Sequence, residues 1–312
     1  MRKKRVLIHS NFVRAFTGFG KNKKNIMRYL YDTDKYELFE LANGLNWKDP
    51  ATENVPWTCR GSLPPANELQ SLPPEQQRAE GYGGRLVDQA VKEFKPDVYI
   101  GIEDIWAFNG YHTKPWWNKI NTMIWTTLDS LPILPQAIEY APKIKNYYVW
   151  SPFAEKAFKN MGYHHVKTLR GSLDKNSFYR LSDEKRKKLR EKHGLTDQYI
   201  VGFVFRNQLR KSVPNLLDGF KLFKNKEPRA KLLLHTHWSE GWDIPRLLKE
   251  KHINPEDVLT TYVCSKCGSY GISPFMGQEQ NCSSCGSQKT VNTTNTGKGV
   301  TDIQLNEIYN LM

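Results

Sequence analysis

The sequence predicts an α/β protein with two Rossmann-like domains, each containing a mostly parallel sheet. Short apolar, β-branched segments alternate along most of the 312 residues with segments whose apolar side chains recur at helical spacing. This alternation is typical of parallel sheets covered by helices. The length also allows two separate hydrophobic cores. We place the domains at 1–180 and 181–312, with a small cysteine-rich insertion at 261–290 in the second.

The first domain is expected to begin with a strand, a glycine-rich turn and a helix. Ser151 and Pro152 have the properties of an N-cap and an N1 residue, and Gly162 those of a C′ residue, so they delimit the last helix. The segment 45–77 is rich in Pro, Asn and Trp and is predicted to be irregular. The expected strands are 5–9, 36–41, 98–102, 122–127, 147–150 and 166–169, and the helices are 21–31, 85–94 and 152–161.

The second domain is organised around residues 199–220, which are predicted to form a strand, a basic loop and a helix. The apolar strand is short enough to be buried, and Pro214 lies in the first turn of the helix. Arg206, Arg210 and Lys211 lie in the loop between them. Such a loop places cations and a helix N-terminus at the carboxyl edge of a sheet, where open α/β folds bind anions. The other expected strands are 230–236 and 258–263, and the other helices are 182–193, 242–251 and 302–311.

The composition indicates a soluble, basic protein. Lys and Arg number 46 against 32 acidic residues, which gives a net charge of +14. This charge either keeps the protein soluble or binds a polyanionic partner, such as nucleic acid, an acidic polymer or a nucleotide-linked substrate. Mean hydropathy is −0.64 and no apolar run reaches membrane-spanning length. Because the basic N-terminus leads into a strand and not into a signal peptide, we infer a cytoplasmic protein, in the host cytoplasm if it is viral.

Lysines crowd the first turn of the first helix, directly after Gly18-Phe19-Gly20. Lys21, Lys23 and Lys24 oppose the helix macrodipole there, by about 0.3–1 kcal/mol each if they are exposed. Either an anion docks at this turn or the lysines point into water. The nearby Asp32-Thr33-Asp34 follows a helix and is interpreted as a turn, so no Asp-x-Asp metal site is expected.

Four cysteines form the most specific motif of the chain. Cys264-x2-Cys267 and Cys282-x2-Cys285 are separated by 14 residues, and a glycine follows each pair. Four thiolates at this spacing suit a closed, tetrahedral, structural Zn²⁺ site of the zinc-ribbon type. Disulfides are the alternative, which a cytoplasmic location disfavours. The fifth cysteine, Cys59, is isolated and is interpreted as structural or incidental.

Several motifs occur in an order found in one enzyme family. Gly18-Phe19-Gly20 is followed by Trp150-Ser151-Pro152-Phe153, Gly162, Arg170-Gly171-Ser172-Leu173-Asp174 and Phe178, and then by Arg206 and Lys211. Over most of 5–260 this set resembles the retaining GT-B glycosyltransferases of the glycogen-synthase-like "group one" family.

The resemblance implies transfer of a hexosyl or pentosyl group from a nucleotide-sugar donor, with retention of stereochemistry and without a catalytic metal. It also implies that the donor lies in the cleft between an acceptor-side first domain and a donor-side second domain. Arg206 and Lys211 would hold the diphosphate and stabilise the leaving charge, because fixed cations in a partly dry site stabilise charge that grows in the transition state. Gly18, Phe19 and Gly20 would also contact the donor. Three carboxylates follow apolar strands, where ligands collect. They are the catalytic candidate Asp129 and the acceptor-side candidates Glu103 and Asp104.

Two features depart from the family. Arg170 stands where the family has a histidine, and no Glu-x7-Glu motif follows the second domain's strands before Met312. The second domain is therefore expected to be incomplete. Either the sequence is a fragment of a longer enzyme, which we favour, or it does not bind the donor in the usual way.

Two other classes of function remain open. One is a zinc-ribbon protein that binds nucleic acid without catalysis, and the other is a sugar-nucleotide-binding scaffold for an active subunit. For the enzyme, the basic charge favours a DNA acceptor with a modified base, which would have to be flipped out of a duplex. A polysaccharide, lipid or protein acceptor is the alternative.

Overall fold

The computed structural model describes residues 2–295 and 297–312 and divides the chain into two compact units, Met1–Leu173 and Asp174–Met312. Each unit contains its own sheet with helices packed against it. The predicted α/β fold class is confirmed. Among the described residues, no helix combines the length and the apolar character that a membrane crossing requires.

The first unit has a seven-stranded, fully parallel sheet in the order β3-β2-β1-β4-β5-β6-β7. The central strand β1 pairs with both β2 and β4, so the strand order reverses there. At such a switch point the carboxyl ends of the strands open a crevice for ligands. The strands are β1 Lys4–Asn11, β2 Tyr36–Asn46, β3 Thr58–Leu63, β4 Val98–Ile102, β5 Asn121–Thr126, β6 Asn146–Val149 and β7 Lys167–Thr168.

The helices of this unit bury apolar stripes against the sheet. In α4 the stripe is Val87, Ala90 and Phe94, at the spacing of one helical face. The Ser151 side chain accepts a hydrogen bond from the Ala154 amide at 3.2 Å, so the predicted N-cap is confirmed. The helices are α1 Gly18–Asp32, α2 Ala66–Ser71, α3 Pro74–Gly81, α4 Leu86–Phe94, α5 Pro135–Tyr140 and α6 Pro152–Asn160.

The prediction of an irregular segment at 45–77 is wrong. The segment contains a short 3₁₀ helix, strand β3, helix α2 and the first half of α3. β3 was missed because its sequence, TCRGSL, lacks an apolar alternation. Its position at the edge of the sheet removes the need for one, because an edge strand has a neighbour on one side only. Gly61 is required in it, since a Cβ there would lie 2.0 Å from the Asn46 carbonyl oxygen.

The second unit has a smaller, mixed sheet in the order β11-β10-β9-β8, with β12 paired to the far end of β10. β8, β9 and β10 are parallel, whereas β11 and β12 run antiparallel to β10. The strands are β8 Tyr199–Val204, β9 Ala230–His235, β10 Val258–Cys264, β11 Tyr270–Pro274 and β12 Val291–Thr293, and the helices are α7 Asp183–Lys192, α8 Val213–Lys224, α9 Ile244–Glu250 and α10 Asp302–Leu311.

The expectation that β8 is a buried strand is wrong. β8 lies at the edge of the sheet, and Tyr199 at its start is 51% exposed. Its apolar side chains still pack on both faces of the sheet: Ile200 joins one core cluster, and Val201 and Phe203 pack against the other. An apolar run of this length therefore predicted the strand but not its position in the sheet.

Lys23 in α1 neither binds an anion nor points into water. It is fully buried, and its ammonium group lies 2.7 Å from the equally buried carboxylate of Glu40 in β2. It also donates to the Ser10 carbonyl oxygen at 3.0 Å. The Glu40 carboxylate accepts from the Val13 amide and the Trp57 indole as well, so this buried pair is well hydrogen-bonded.

We expect Lys23→Met to lower the free energy of unfolding by about 3–5 kcal/mol, because it leaves a buried carboxylate without its counter-charge. Urea denaturation measures the change. Lys156→Met on the exposed face of α6 is the control and should change stability by less than about 0.5 kcal/mol. Equal stability of the two variants would contradict this interpretation.

Candidate functional site

The glycine-rich turn joins β1 to α1 at the carboxyl edge of the first sheet. The Thr17 hydroxyl accepts from the Gly20 amide at 3.0 Å and donates to Asn11 Oδ1 at 2.8 Å. Gly20 is required, since a Cβ would lie 2.6 Å from the Phe12 carbonyl oxygen. A Cβ at Gly18 would meet no atom within 4 Å, so the turn is open there. Phe19 packs edge-on against Trp150, with ring centroids 5.7 Å apart.

Glu103, at the end of β4, is a buried carboxyl group held by two asparagines. Its Oε1 accepts from Nδ2 of Asn11 and, at 3.0 Å, from Nδ2 of Asn43. Its Oε2 has no hydrogen-bond partner within the described residues, and it is not completely buried. Burial raises the pKa of Glu103 to about 7, although the Asn43 hydrogen bond opposes the rise. One oxygen is thus anchored, and the other can bind a proton or a hydroxyl near neutral pH.

His9 in β1 orients this cluster. The ring is fully buried, and Nε2 lies 2.8 Å from Asn43 Oδ1, so Nε2 carries the hydrogen. Nδ1 then accepts from the Tyr99 hydroxyl at 2.9 Å. Burial lowers the pKa of His9 to about 3, so the ring is neutral at pH 7. His9, Asn11 and Asn43 were missed from the sequence, although polar residues that end apolar strands are the signal that could have found them.

The other acidic candidates lie on neighbouring loops. Asp104 follows Glu103 and accepts a hydrogen bond from the Thr127 hydroxyl, which lies just after β5. Asp129 is exposed in the loop that follows. The structure thus links the loops after β4 and β5 through Asp104, but it shows no hydrogen bond that joins Asp129 to the Glu103 cluster within the described residues.

The first residues of the motif at 170–174 contact the first turns of α1. Asn22 Oδ1 accepts from the Ser172 amide at 2.8 Å and from its hydroxyl at 3.0 Å. Gly171 is required, since a Cβ would lie 2.7 Å from the Trp150 ring. Arg170 is exposed. The buried Asn22 Nδ2 has no partner among the described residues.

A cavity of about 710 Å³ opens where β2 and β3 end. Its lining combines an aromatic ring with charged and amide groups, a mixture suited to hydroxyl-rich ligands. The residues are Trp47, Lys48, Asp49, Glu68, Arg85, Gln89, Asn46, Leu86 and the prolines Pro50, Pro64 and Pro65.

In the second unit, the loop after β8 carries the predicted diphosphate-binding cations. Nε and Nη2 of Arg206 both contact Glu240 Oε1, at 2.7 and 2.5 Å, which leaves Nη1 for another ligand. The guanidinium is about half exposed. Lys211 is half-buried and has no ion-pair partner in the part of the chain that the structure describes.

Asn207 holds this loop in a fixed conformation. Its Nδ2 donates to the carbonyl oxygens of His237 at 3.0 Å and Trp242 at 2.7 Å, and its Oδ1 accepts from the Trp242 amide at 2.9 Å. Gly241 is required beside it, since a Cβ would lie 2.5 Å from the Asn207 carbonyl oxygen. No sequence pattern indicates this role, because an asparagine is common in a basic loop.

The N-terminus of α8 adds to the positive potential of the loop. Ser212 caps the helix with a left-handed backbone and no side-chain hydrogen bond, and the first turn contains no acidic residue. Lys211 directly precedes this cap. A helix N-terminus next to an uncompensated lysine favours an anion.

The four cysteines converge as predicted. Their sulfur atoms all lie within 4.8 Å of one another; Cys264 and Cys285 are 3.8 Å apart, and Cys267 and Cys282 are 3.7 Å apart. A tetrahedron with Zn–S bonds of about 2.3 Å has edges of about 3.8 Å. The four-cysteine cluster can therefore hold a metal ion of this size.

Two equivalent turns build the cluster, and they show a short internal repeat that was missed in the sequence. Residues 264–269 read CSKCGS and 282–287 read CSSCGS. Gly268 and Gly286 both have φ +71°, and each donates to the carbonyl oxygen of the first cysteine of its turn at 2.9 Å. The glycine in each motif thus supplies the left-handed residue that closes the turn.

The cysteine turns are tied to helix α10. Gln304 Nε2 donates to the Gly268 carbonyl oxygen at 2.9 Å, and the Tyr270 hydroxyl donates to Glu307 Oε2 at 2.5 Å. Both arginines of α7, Arg186 and Arg190, donate to carbonyl oxygens at the end of α10. The cluster is thus part of the packing of the second unit.

No family model matches the chain, and no curated protein matches it by sequence. Comparison with solved structures shows that the fold is of the GT-B class, built from Rossmann-like α/β units. Sucrose-phosphate synthase from Thermosynechococcus elongatus is similar, with a TM-score of 0.55 and 15% identity over 82% of this chain and 69% of that chain.

Two further similar structures contain nucleotides. Anabaena HepE in complex with UDP and glucose has a TM-score of 0.54 and 15% identity over 82% of this chain and 68% of its own. The catalytic domain of starch synthase IV from Arabidopsis thaliana, bound to ADP and acarbose, has a TM-score of 0.53 and 12% identity over 81% of this chain and 71% of its own. Identities this low establish the fold alone.

Proposed function

We propose that the chain is a glycosyltransferase that moves a sugar from a nucleotide-sugar donor to an acceptor. The observation that carries the proposal is the loop after β8, where Arg206, Lys211 and the N-terminus of α8 form a positive site held in place by Asn207. The UDP in HepE and the ADP in starch synthase IV support a nucleoside diphosphate as the ligand of such a site.

The roles of the two cations follow from their contacts. Glu240 orients the Arg206 guanidinium and leaves Nη1 for a phosphate oxygen. Lys211 acts as a compact point charge beside the helix N-terminus. Both stabilise the charge that develops on the leaving diphosphate. We also propose that the transfer retains the stereochemistry of the sugar and that the chain is a member of the group-one family, because its motifs resemble those of that family.

The first unit is proposed to bind the acceptor. Its glycine-rich turn, with Gly18 open and Phe19 packed, is proposed to contact the donor, and Glu103 to present its unpaired Oε2 to an acceptor hydroxyl. Asp104 and Asp129 lie on the adjoining loops. A DNA acceptor with a modified base accords with the charge of +14 in a cytoplasmic protein. A polysaccharide acceptor is the second candidate, which the Trp47 cavity favours.

The four-cysteine cluster is proposed to bind Zn²⁺ as a structural ion and to form a zinc ribbon with β11 and β12. The sulfur distances fit a tetrahedral ion. Four cysteine ligands leave no open position for a substrate or a water molecule, so no catalytic role is assigned to the metal.

We expect Arg206→Ala and Lys211→Ala each to weaken UDP or ADP binding by about 10- to 150-fold, which corresponds to about 1.5–3 kcal/mol for one charge-assisted hydrogen bond. Calorimetric titration measures the affinity. Lys249→Ala, an exposed and unpaired lysine of α9, is the matched control and should bind as the wild type does. Unchanged binding in both loop variants would remove them from the site.

Transfer is tested separately from binding, with a radiolabelled nucleotide-sugar and either duplex DNA or a polysaccharide as acceptor. Labelled acceptor supports the enzyme. Diphosphate binding without any labelled product would instead favour a sugar-nucleotide-binding scaffold, and DNA binding without diphosphate binding would favour the non-catalytic zinc-ribbon protein.

A further inference from the structure

We propose that the amino edge of the seven-stranded sheet is a docking surface for the phosphate backbone of duplex DNA. This edge lies opposite the carboxyl edge that carries Glu103 and the glycine-rich turn. The inference goes beyond the proposed function, because a duplex bound at this edge lies on the far side of the sheet from Glu103. It concerns binding alone, so it would stand even if no sugar were transferred.

The surface is a row of lysines at the strand starts. Six neighbouring strands, in the order β2-β1-β4-β5-β6-β7, each have a lysine at their first residue or within three residues before it. All six lysines are exposed, and none has an ion-pair partner within residues 2–295 and 297–312. This lysine row consists of Lys35, Lys4, Lys95, Lys119, Lys145 and Lys167.

Acidic residues at this edge are compensated by other cations. Asp97 lies 2.6 Å from Arg2, and Glu37 lies 3.2 Å from Arg5. Asp34 pairs with Lys3. These carboxylates therefore do not neutralise the lysine row, which leaves a strip of uncompensated positive charge.

A cavity provides direct evidence that residues of neighbouring strands meet at this edge. It has a volume of about 620 Å³, and its lining includes Lys4 at the start of β1, Lys119 before β5, and Arg2. Asp97 is the carboxylate in this lining. The remaining lining groups include two amides that can donate to phosphate oxygens, Asn118 and Asn121.

The dimensions of the lysine row fit a nucleic-acid strand. Adjacent strands lie about 4.8 Å apart, so six of them carry the row over about 24 Å. One strand of B-DNA has a phosphate about every 3.4 Å along the axis, so the row faces about seven phosphates. The number of lysines and the number of phosphates are therefore comparable.

The chemistry of the edge favours DNA over a lipid surface. Binding in a membrane interface requires apolar or aromatic side chains that insert between headgroups. The cavity lining contains no aromatic residue, and its one large apolar side chain, Ile120, packs against the hydrophobic core.

Fluorescence anisotropy with a labelled duplex, without any sugar donor, tests the proposal. If all six lysines contact phosphates, the affinity should fall by about 10³-fold between 50 and 200 mM salt, because each contact contributes about −0.9 to the slope of log K against log salt. The triple variant Lys95→Gln, Lys119→Gln, Lys145→Gln should retain three contacts and fall by only about 40-fold over the same range.

The matched control removes three exposed, unpaired lysines from the second unit, by Lys187→Gln, Lys226→Gln and Lys249→Gln. The control should keep the wild-type salt slope, although its net charge equals that of the triple variant. Equal slopes in the two variants, or no binding by the wild type at 50 mM salt, would overturn the proposal.

The last experiment measures binding to vesicles with and without anionic lipid. If the wild type bound anionic vesicles but not DNA, and the triple variant lost that binding, the lysine row would be a membrane-docking surface and the DNA proposal would be wrong. We expect DNA binding that depends on the lysine row and vesicle binding that does not.

Discussion

Removal of the metal from the four-cysteine cluster, by chelation or by Cys282→Ser, is expected to destabilise the second unit by about 5 kcal/mol or more. Structural Zn²⁺ contributes about 10–16 kcal/mol of apparent binding energy in small zinc domains. We expect a smaller effect here because β8, β9 and α8 have their own core. α10 should be affected as well, because Gln304 binds the first cysteine turn and Glu307 binds Tyr270, which directly follows that turn.

Calorimetry with and without chelator, together with elemental analysis, measures this effect. The wild type should contain one zinc ion per chain, and Cys282→Ser should contain none. Cys59→Ala is the matched control, because Cys59 is buried in β3 of the other unit and should not change the zinc content. Metal-free wild-type protein with unchanged thermal stability would refute the structural role of zinc.

Glu103→Gln is expected to lower the rate of transfer by about 10²- to 10⁴-fold, the usual contribution of a positioned proton acceptor. The substitution preserves the oxygen that accepts from Asn11 and Asn43 and replaces only Oε2 by an amide. In the wild type, kcat/KM should rise with pH up to about 7, where the Glu103 carboxyl loses its proton. The variant should lack this limb of the pH profile.

The same pKa has a consequence for stability. The folded protein holds the Glu103 proton up to about pH 7, whereas the unfolded chain releases it near its ordinary pKa of about 4.5. The folded state therefore binds more protons in this window, and wild-type stability should fall as the pH rises from about 4.5 to 7. Glu103→Gln should lose this dependence.

Glu75→Gln, at an exposed position in α3, is the control for both measurements and should behave as the wild type does. If Glu103→Gln retained both the wild-type rate and the wild-type pH profile, Glu103 would not be the proton acceptor.

The sequence predicted those parts of the fold that depend on local patterns. The central strands and the long helices were located because their apolar periodicity is strong, and the cysteine cluster because thiolate spacing is specific. β3 was missed because Gly61 and Arg60 break any alternation at a sheet edge. Lys23 was expected near an anion or water. Its partner, Glu40, could not be identified, because the sequence does not show that β2 lies next to α1.

The candidate site was predictable only in part, for the same reason. Glu103 and Arg206 were named as candidates because both follow apolar strands. Their partners could not be found, because His9, Asn43 and Asn207 act through contacts between distant segments. Sequence spacing identifies a residue at a sheet edge, but only the folded chain shows which of its atoms remain unpaired.

The convergence of the four sulfur atoms also makes the cluster sensitive to oxidation. Without a metal, Cys264 and Cys285, 3.8 Å apart, are free thiols close to one another, as are Cys267 and Cys282 at 3.7 Å. An oxidant would couple such thiols into disulfides, and the oxidised pairs could no longer bind the metal as thiolates. The bound ion would thus protect the thiols, and oxidation would release it, so the integrity of the second unit would depend on the redox state of its surroundings.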